Sequence, residues 1–222
     1  MKVIAICGLG GSGREFFELV NRIGKWEKII FCDKSVEPGN NVFYGCEVYT
    51  FEEIVKIFTK EEIEFVISVG DVYLREKIYN QVKEAGYTFA TIVAPGVNVP
   101  KTTTLGNGVI IRDNCYISVD VRLCDNVMIQ PNTIIAHDTY VGMHSVISSQ
   151  SVLSGAVNIG RNTYVALGCI IKELTSVGDD TIVSMGTVVN KNVASNVIVR
   201  GNPVEVVSKN YIKSAFRLNK RT

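Results

Sequence analysis

Ile129-Gln130-Pro131-Asn132-Thr133-Ile134-Ile135-Ala136-His137-Asp138-Thr139-Tyr140-Val141-Gly142-Met143-His144-Ser145-Val146-Ile147 carries an aliphatic residue at every sixth place: Ile129, Ile135, Val141 and Ile147. Extended in both directions, the register runs without insertion from Val93 to Val189, seventeen positions, all aliphatic. Four residues beyond most of them stands a small or β-branched residue, such as Thr133, Thr139, Ser145, Ser151 or Cys169. A period of six fits neither the 3.6 of a helix nor the 2 of a free strand, and is the hexapeptide signature of a parallel β-helix. With about a third of residues aliphatic in an ordinary composition, chance does not produce such a run. The aliphatic residue points inward and fills the axis, and the small residue fits beside it. Three hexads make one coil, so residues eighteen apart stack about one strand spacing, roughly 4.8 Å, from each other.

The rest of the 222 residues bounds the function classes. A net charge of +1 gives no field that selects nucleic acid as a partner. No apolar run approaches the roughly 20 residues that span a bilayer. The opening Met1 to Gly8 breaks quickly into glycines and reads as a first strand, not a leader. Six cysteines (Cys7, Cys32, Cys46, Cys115, Cys124, Cys169) lack metal-ligand spacing and read as reduced, buried thiols of a cytoplasmic protein, with no metal.

Ahead of the repeat, Lys2 to Cys7 forms an apolar strand that runs into Gly8-Leu9-Gly10-Gly11-Ser12-Gly13 and a helix from Arg14 to Ile23. Gly8, Gly10 and Gly13 have the G-x-G-x-x-G spacing that lets backbone approach a phosphate at a helix N-terminus. A second strand, Lys28 to Cys32, ends in Asp33, where an acid commonly meets a nucleoside. A glycine turn that merely closes a strand-helix unit is the plainer alternative. Thr50 to Thr59 predicts a helix opened by a capping box, with Glu53 three residues after Thr50. A strand over Ile63 to Val69, a helix over Tyr73 to Ala85 and a strand over Tyr87 to Val93 follow. The expected unit is an α/β Rossmann-like nucleotide-binding domain over 1–92. Its length is too short for both halves of a dinucleotide fold, which favours a nucleoside diphosphate over NAD. The β-helix then occupies 93–194, and 195–222 forms a return over Val197 to Val206 and a tail with Lys209, Lys213, Arg217, Lys220 and Arg221.

Both histidines of the chain lie in the repeat. His137 is expected on a solvent-accessible turn, with Asp138 beside it and Gly155 eighteen residues on, one coil away in the same column. A histidine serves as general base near neutral pH, an adjacent carboxylate orients its ring, and a glycine N–H donates to an oxyanion. His144 falls one hexad further round, on a different side of the coil, and reads as an ordinary surface turn residue.

Together the Gly8 to Gly13 unit, the seventeen hexads, the Ile135-Ala136-His137-Asp138 turn and Gly201-Asn202-Pro203 resemble the sugar O- and N-acyltransferases. That family includes the sialic acid O-acetyltransferases and the UDP-4-amino-sugar N-acetyltransferases of bacillosamine-type pathways. The resemblance implies a left-handed β-helix, a homotrimer, acetyl-CoA as acyl donor in the cleft between neighbouring β-helices, and a nucleotide-sugar on the N-terminal domain. It implies His137 as general base, Asp138 as its companion, and the Gly155 amide facing the thioester oxygen. Ala166 and Leu167 correspond to backbone positions along the coenzyme. Gly10, Gly11, Ser12 and Gly13 correspond to the phosphate loop, and Asp33 to an acid near the base. Two departures stand out: Gly11-Ser12-Gly13 replaces the Gly-Gly-His-Gly of many members, and Val146 stands where some carry a second histidine nine residues after the first. The leading expectation is acetyl transfer to the amino group of a nucleotide-linked sugar, with a UDP-4-amino-sugar first among the candidates. O-acetylation of a sialic acid or related hydroxyl, and a non-catalytic nucleotide-sugar-binding trimer, are the alternatives.

Overall fold

The structure is a computed structural model that describes residues 2–37, 39 and 41–215. Arg217, Lys220 and Arg221 of the tail lie outside them. The N-terminal sheet has six strands. Val3–Cys7 (β1) lies between Lys28–Cys32 (β2) and Ile63–Ile67 (β5), parallel to both. Asn41–Phe43 (β3) and Cys46–Tyr49 (β4) form a hairpin on one edge, and Thr88–Phe89 (β6) closes the other. Only β3 runs antiparallel to its neighbour. This hairpin, whose turn is Tyr44-Gly45, both left-handed, is not among the elements expected from the sequence.

Among the described residues three helices accompany the sheet. The first, α1, spans Gly11–Ile23 and begins three residues earlier than expected, because Gly11-Ser12-Gly13 form its first turn despite poor helix propensity. The second, α2, spans Phe51–Ile57 and carries the expected capping box, with Thr50 and Glu53 bonding reciprocally. The third, α3, spans Val72–Glu84 and is capped by Asp71, whose carboxylate accepts from the Tyr73 and Leu74 N–H groups. The expected strand from Tyr87 to Val93 is broken at Ala90-Thr91. Thr88–Phe89 stays in the first sheet, and Ile92–Val93 joins the β-helix.

The repeat is a left-handed β-helix whose rungs are two-residue strands six apart, from Thr104–Leu105 to Val188–Val189. Every pairing is parallel and eighteen residues apart, as in Ile117↔Ile135↔Leu153. From Ile111 to Val189 the inward column, including Ile129, Ile147 and Val165, is buried, and Leu105 at its start is partly so. Beside it the hydroxyls bond along the axis: Thr133 donates to the Ser148 carbonyl, Ser145 to Gly160 and Ser151 to Ala166. Each such bond contributes about 1 kcal/mol.

The outward residue of each rung distinguishes three faces. On one, Ile110, Met128, Val146 and Tyr164 are buried under the N-terminal domain and share a core with Ile4, Ile6, Phe16 and Leu19. A second face is largely polar: Thr104, Arg122, Tyr140, Asn158 and Ser176. The third carries Tyr116, Ile134, Val152, Ile170 and Val188, an apolar row left open to solvent. The chain ends with Val197–Arg200, parallel to the last rung of the covered face, and Glu205–Lys209 folded antiparallel on it. This is the expected return, as a hairpin.

Candidate active site

His137 and Asp138 occupy the turn between the open apolar face and the polar face. Asp138 is in the left-handed conformation, φ 58°. The turn is clamped from both sides along the axis, since Asp138 N–H donates to the Val119 carbonyl and the His137 carbonyl accepts from Ala156 N–H at 2.8 Å. His137 Nδ1 lies 2.7 Å from Asp138 Oδ2, with both side chains more than half exposed. The ring lies over Gly155. A Cβ at that position would stand 2.6 Å from His137 Cε1 and 2.7 Å from Nε2, so only glycine admits the imidazole there. Among the described residues the Gly155 N–H has no hydrogen-bond partner. With Nδ1–H donating to the carboxylate, Nε2 keeps a lone pair for a proton, next to a free backbone donor. One edge thus brings His137, Asp138 and Gly155 together.

The glycine loop is equally well formed, in another place. Gly8 has φ +112°, and Gly10 is the N-cap of α1 with no side-chain cap. The first-turn N–H groups of Gly11, Ser12 and Gly13 therefore face outward at the positive end of the helix dipole. At Gly13 a Cβ would strike the Gly8 carbonyl, so the glycine lets the helix close on the strand. Arg14, which the sequence reading used only to start the helix, places its guanidinium beside Gly11, a cation at the loop. Asp33 braces this loop. Its Oδ2 accepts from Leu9 N–H at 3.2 Å, while Oδ1 accepts from the Ser35 N–H and hydroxyl. Asp33 also lines a cavity of about 190 Å³ with Cys7, Gly8, Cys32, Phe51 and Val69, at the carboxyl ends of β1 and β2. Ligands bind at that end of open α/β sheets.

The remaining residues do not converge within one chain. Ala166 and Leu167 lie on the turn between the covered face and the open apolar face, a different edge from Gly155. The Ala166 N–H is committed to the Val183 carbonyl, whereas Leu167 is about half exposed. The N-terminal domain bonds to the two edges that flank the face it covers. α1 contributes Arg22 to Asp113 and Glu15 to Arg112. α3 contributes Tyr79 to Asp125, Glu76 to Arg161, and Arg75 to Asn126. In a triangular prism the His137 edge is the one opposite the covered face, on the far side of the β-helix from the N-terminal domain.

The expectation of a surface His144 is overturned. Its side of the turn packs against α3, leaving it 4% exposed. Asn126 Nδ2 donates to His144 Nδ1 at 3.0 Å, and Tyr79 meets the ring edge-on. Burial pushes its pKa down to about 4, so it is a neutral interdomain residue at physiological pH. Its neighbour Arg75 is fully buried and donates to the carbonyls of Ile67, Val69 and Asn126. Neither role was readable from the chain, because both depend on where α3 docks. All six cysteines are free; Cys46 and Cys124 are only half-buried. Among the described residues no cluster of His, Cys, Asp or Glu is placed to hold a metal, and no helix is long and apolar enough to cross a membrane.

Comparison with known proteins is consistent with both halves. Residues 3–82 match the model of the PglD N-terminal domain, and residues 120–155 that of the bacterial transferase hexapeptide, six repeats. No curated protein matches the chain. Among solved structures, the acetyltransferase domain of PglB from Neisseria gonorrhoeae in complex with acetyl coenzyme A superposes with a TM-score of 0.87 at 22% identity, covering 93% of this chain and 99% of that one. PerB from Caulobacter crescentus, in complex with CoA and GDP-perosamine, gives 0.85 at 22%, covering 94% and 98%. WeeI from Acinetobacter baumannii gives 0.70 at 20%, covering 93% and 100%. At these identities the likeness is one of fold.

Proposed function

We propose that this chain, a hexapeptide-repeat acyltransferase with a PglD-type N-terminal domain, transfers acetyl from acetyl-CoA to the amino group of a nucleotide-linked sugar, a UDP-4-amino-sugar first among the candidates. The observation that carries the reading is the His137 imidazole, held by Asp138 over the unpaired Gly155 N–H. The acetyl-CoA complex of the PglB domain and the CoA and GDP-perosamine complex of PerB support the two substrates. The sugar amine attacks the thioester carbonyl carbon, and a C–N bond forms. Nε2 of His137 takes the amine proton, and Asp138 stabilises the resulting imidazolium. The Gly155 N–H donates to the tetrahedral oxyanion. Collapse breaks the C–S bond, and the departing thiolate takes the proton from His137. Residues of the N-terminal domain hold the rest of the acceptor: the N–H groups of Gly11, Ser12 and Gly13 meet the diphosphate, Arg14 adds charge, and Asp33 keeps the loop in shape.

Because the loop and His137 lie on opposite sides of one protomer, the loop that serves a given His137 belongs to a neighbouring copy. The open row of Tyr116, Ile134, Val152, Ile170 and Val188 offers the surface on which copies pack, and a homotrimer places a neighbour against each His137 edge. In that arrangement Leu167 of one copy and Gly155 of the next border the same cleft. A free-thiol assay with acetyl-CoA and a panel of nucleotide-linked amino and hydroxy sugars tests the reading. Release with an amino sugar, lost in His137→Ala, is expected; release only with hydroxy sugars selects O-acetylation, and none with any member removes catalysis.

A further inference from the structure

The turns of the β-helix place one residue each in the left-handed conformation, from Gly108 to Gly186. At nearly all of them the residue is Asn, Asp, Gln, His or Gly, the types that tolerate φ > 0. The two exceptions are Ala156 and Leu174, with φ 55° and 59°. They stack directly beyond Asp138 on the His137 edge, eighteen residues apart. Leu174 is the more costly choice, because its side chain is large, apolar and 79% exposed. Its N–H donates to the Gly155 carbonyl at 3.0 Å, which fixes it one coil beyond the glycine. Within the protomer a leucine there gains nothing that Asn or Gly would not give at less strain.

We propose that Leu174 is the apolar seat for the pantetheine arm of the acyl donor and sets affinity for the coenzyme. This rests on the acetyl-transfer reading. A thioester carbonyl at the Gly155 N–H must send its thiol arm along the edge in one direction. On the N-terminal side the His137 ring stands over Gly155. The open direction is the next coil, where Ala156 is low and Leu174 projects. The arm, with its methyl-bearing and methylene segments, is the partner whose burial offsets an exposed leucine.

The test compares wild type with Leu174→Asn and Leu174→Met as full-length proteins. Calorimetry measures coenzyme A and its pantetheine-free fragment, adenosine bisphosphate. Expected is about a tenfold loss of coenzyme A affinity in Leu174→Asn, most of it restored in Leu174→Met, with fragment affinity unchanged. Without ligand, Leu174→Asn melts higher than wild type, since asparagine suits the left-handed turn. Unchanged coenzyme A affinity, equal weakening of both ligands, or loss of the oligomer in Leu174→Asn overturns the assignment, the last making Leu174 an interface residue. Failure of the acetyl-transfer reading shows separately, as wild-type protein that binds coenzyme A but releases no thiol with any acceptor.

Discussion

Replacing Gly155 by alanine adds one methyl group to an exposed edge and is expected to be nearly as damaging as removing the histidine. The new Cβ would stand 2.6–2.7 Å from two atoms of the His137 ring, well inside contact distance. Gly155 itself is not left-handed, so alanine fits the backbone, and the exposed ring is free to swing away. The fold therefore survives, and the proposed base is displaced while the Gly155 N–H remains. A positioned general base contributes about 10²–10⁴ in rate, or roughly 3–5 kcal/mol of barrier. Gly155→Ala should lose that factor in kcat, with a melting temperature within about 2 °C of wild type. The double variant His137→Ala, Gly155→Ala should be no slower than His137→Ala alone, because the methyl acts only through the ring. Steady-state thiol release on the four proteins of the cycle measures this. Gly155→Ala with near wild-type turnover, or a double variant slowed by the product of both single losses, refutes the seating of His137 on Gly155.

Three further outcomes follow from the same geometry. His144 is buried neutral with its pKa lowered to about 4, against about 6.5 unfolded. The unfolded chain therefore binds a proton first as pH falls, and this group's share of stability, about 3 kcal/mol, is present above pH 6.5 and lost on the way down to pH 4. His144→Asn, which suits the left-handed turn, should flatten that part of the melting-temperature profile; a profile parallel to wild type over this window contradicts the burial argument. Arg75→Met strands the carbonyls of Ile67, Val69 and Asn126 in a dry interface and should cost about 3 kcal/mol or more, read by thermal or urea unfolding. Asp33→Ala frees the Leu9 N–H and loosens the loop, raising KM for the nucleotide-sugar about tenfold while KM for acetyl-CoA stays constant.

The inward column was legible because one residue in six has no alternative to the axis, and the strand-loop-helix unit because Gly8 to Gly13 is a local signal. The three outward rows were equally present, at a period of eighteen. Ile110, Met128, Val146 and Tyr164 mark a covered face, and Tyr116, Ile134, Val152 and Ile170 an open one. They become visible only once each rung is assigned to a side. His144 was read as a surface residue because a turn of the repeat is exposed by default, and what buries it is a helix docked on it from about seventy residues earlier. The start of α1 at Gly11 was hidden for a local reason, since its first turn is Gly11-Ser12-Gly13, residues of poor helix propensity. Gly155 is the reverse case: a stacking distance of eighteen sufficed to pair it with His137.

The proposed site is shared between copies, His137 and Gly155 from one and the glycine loop from the next. Co-expressed mixtures of two inactive proteins test that directly. One carries His137→Ala and the other Gly13→Val, whose side chain collides with the Gly8 carbonyl and spoils the loop. In random mixed trimers an intact loop meets an intact His137 in about a quarter of the sites. Recovery of about a quarter of wild-type thiol release from acetyl-CoA with the amino-sugar acceptor is expected. Mixed trimers as inactive as their parents would contradict it.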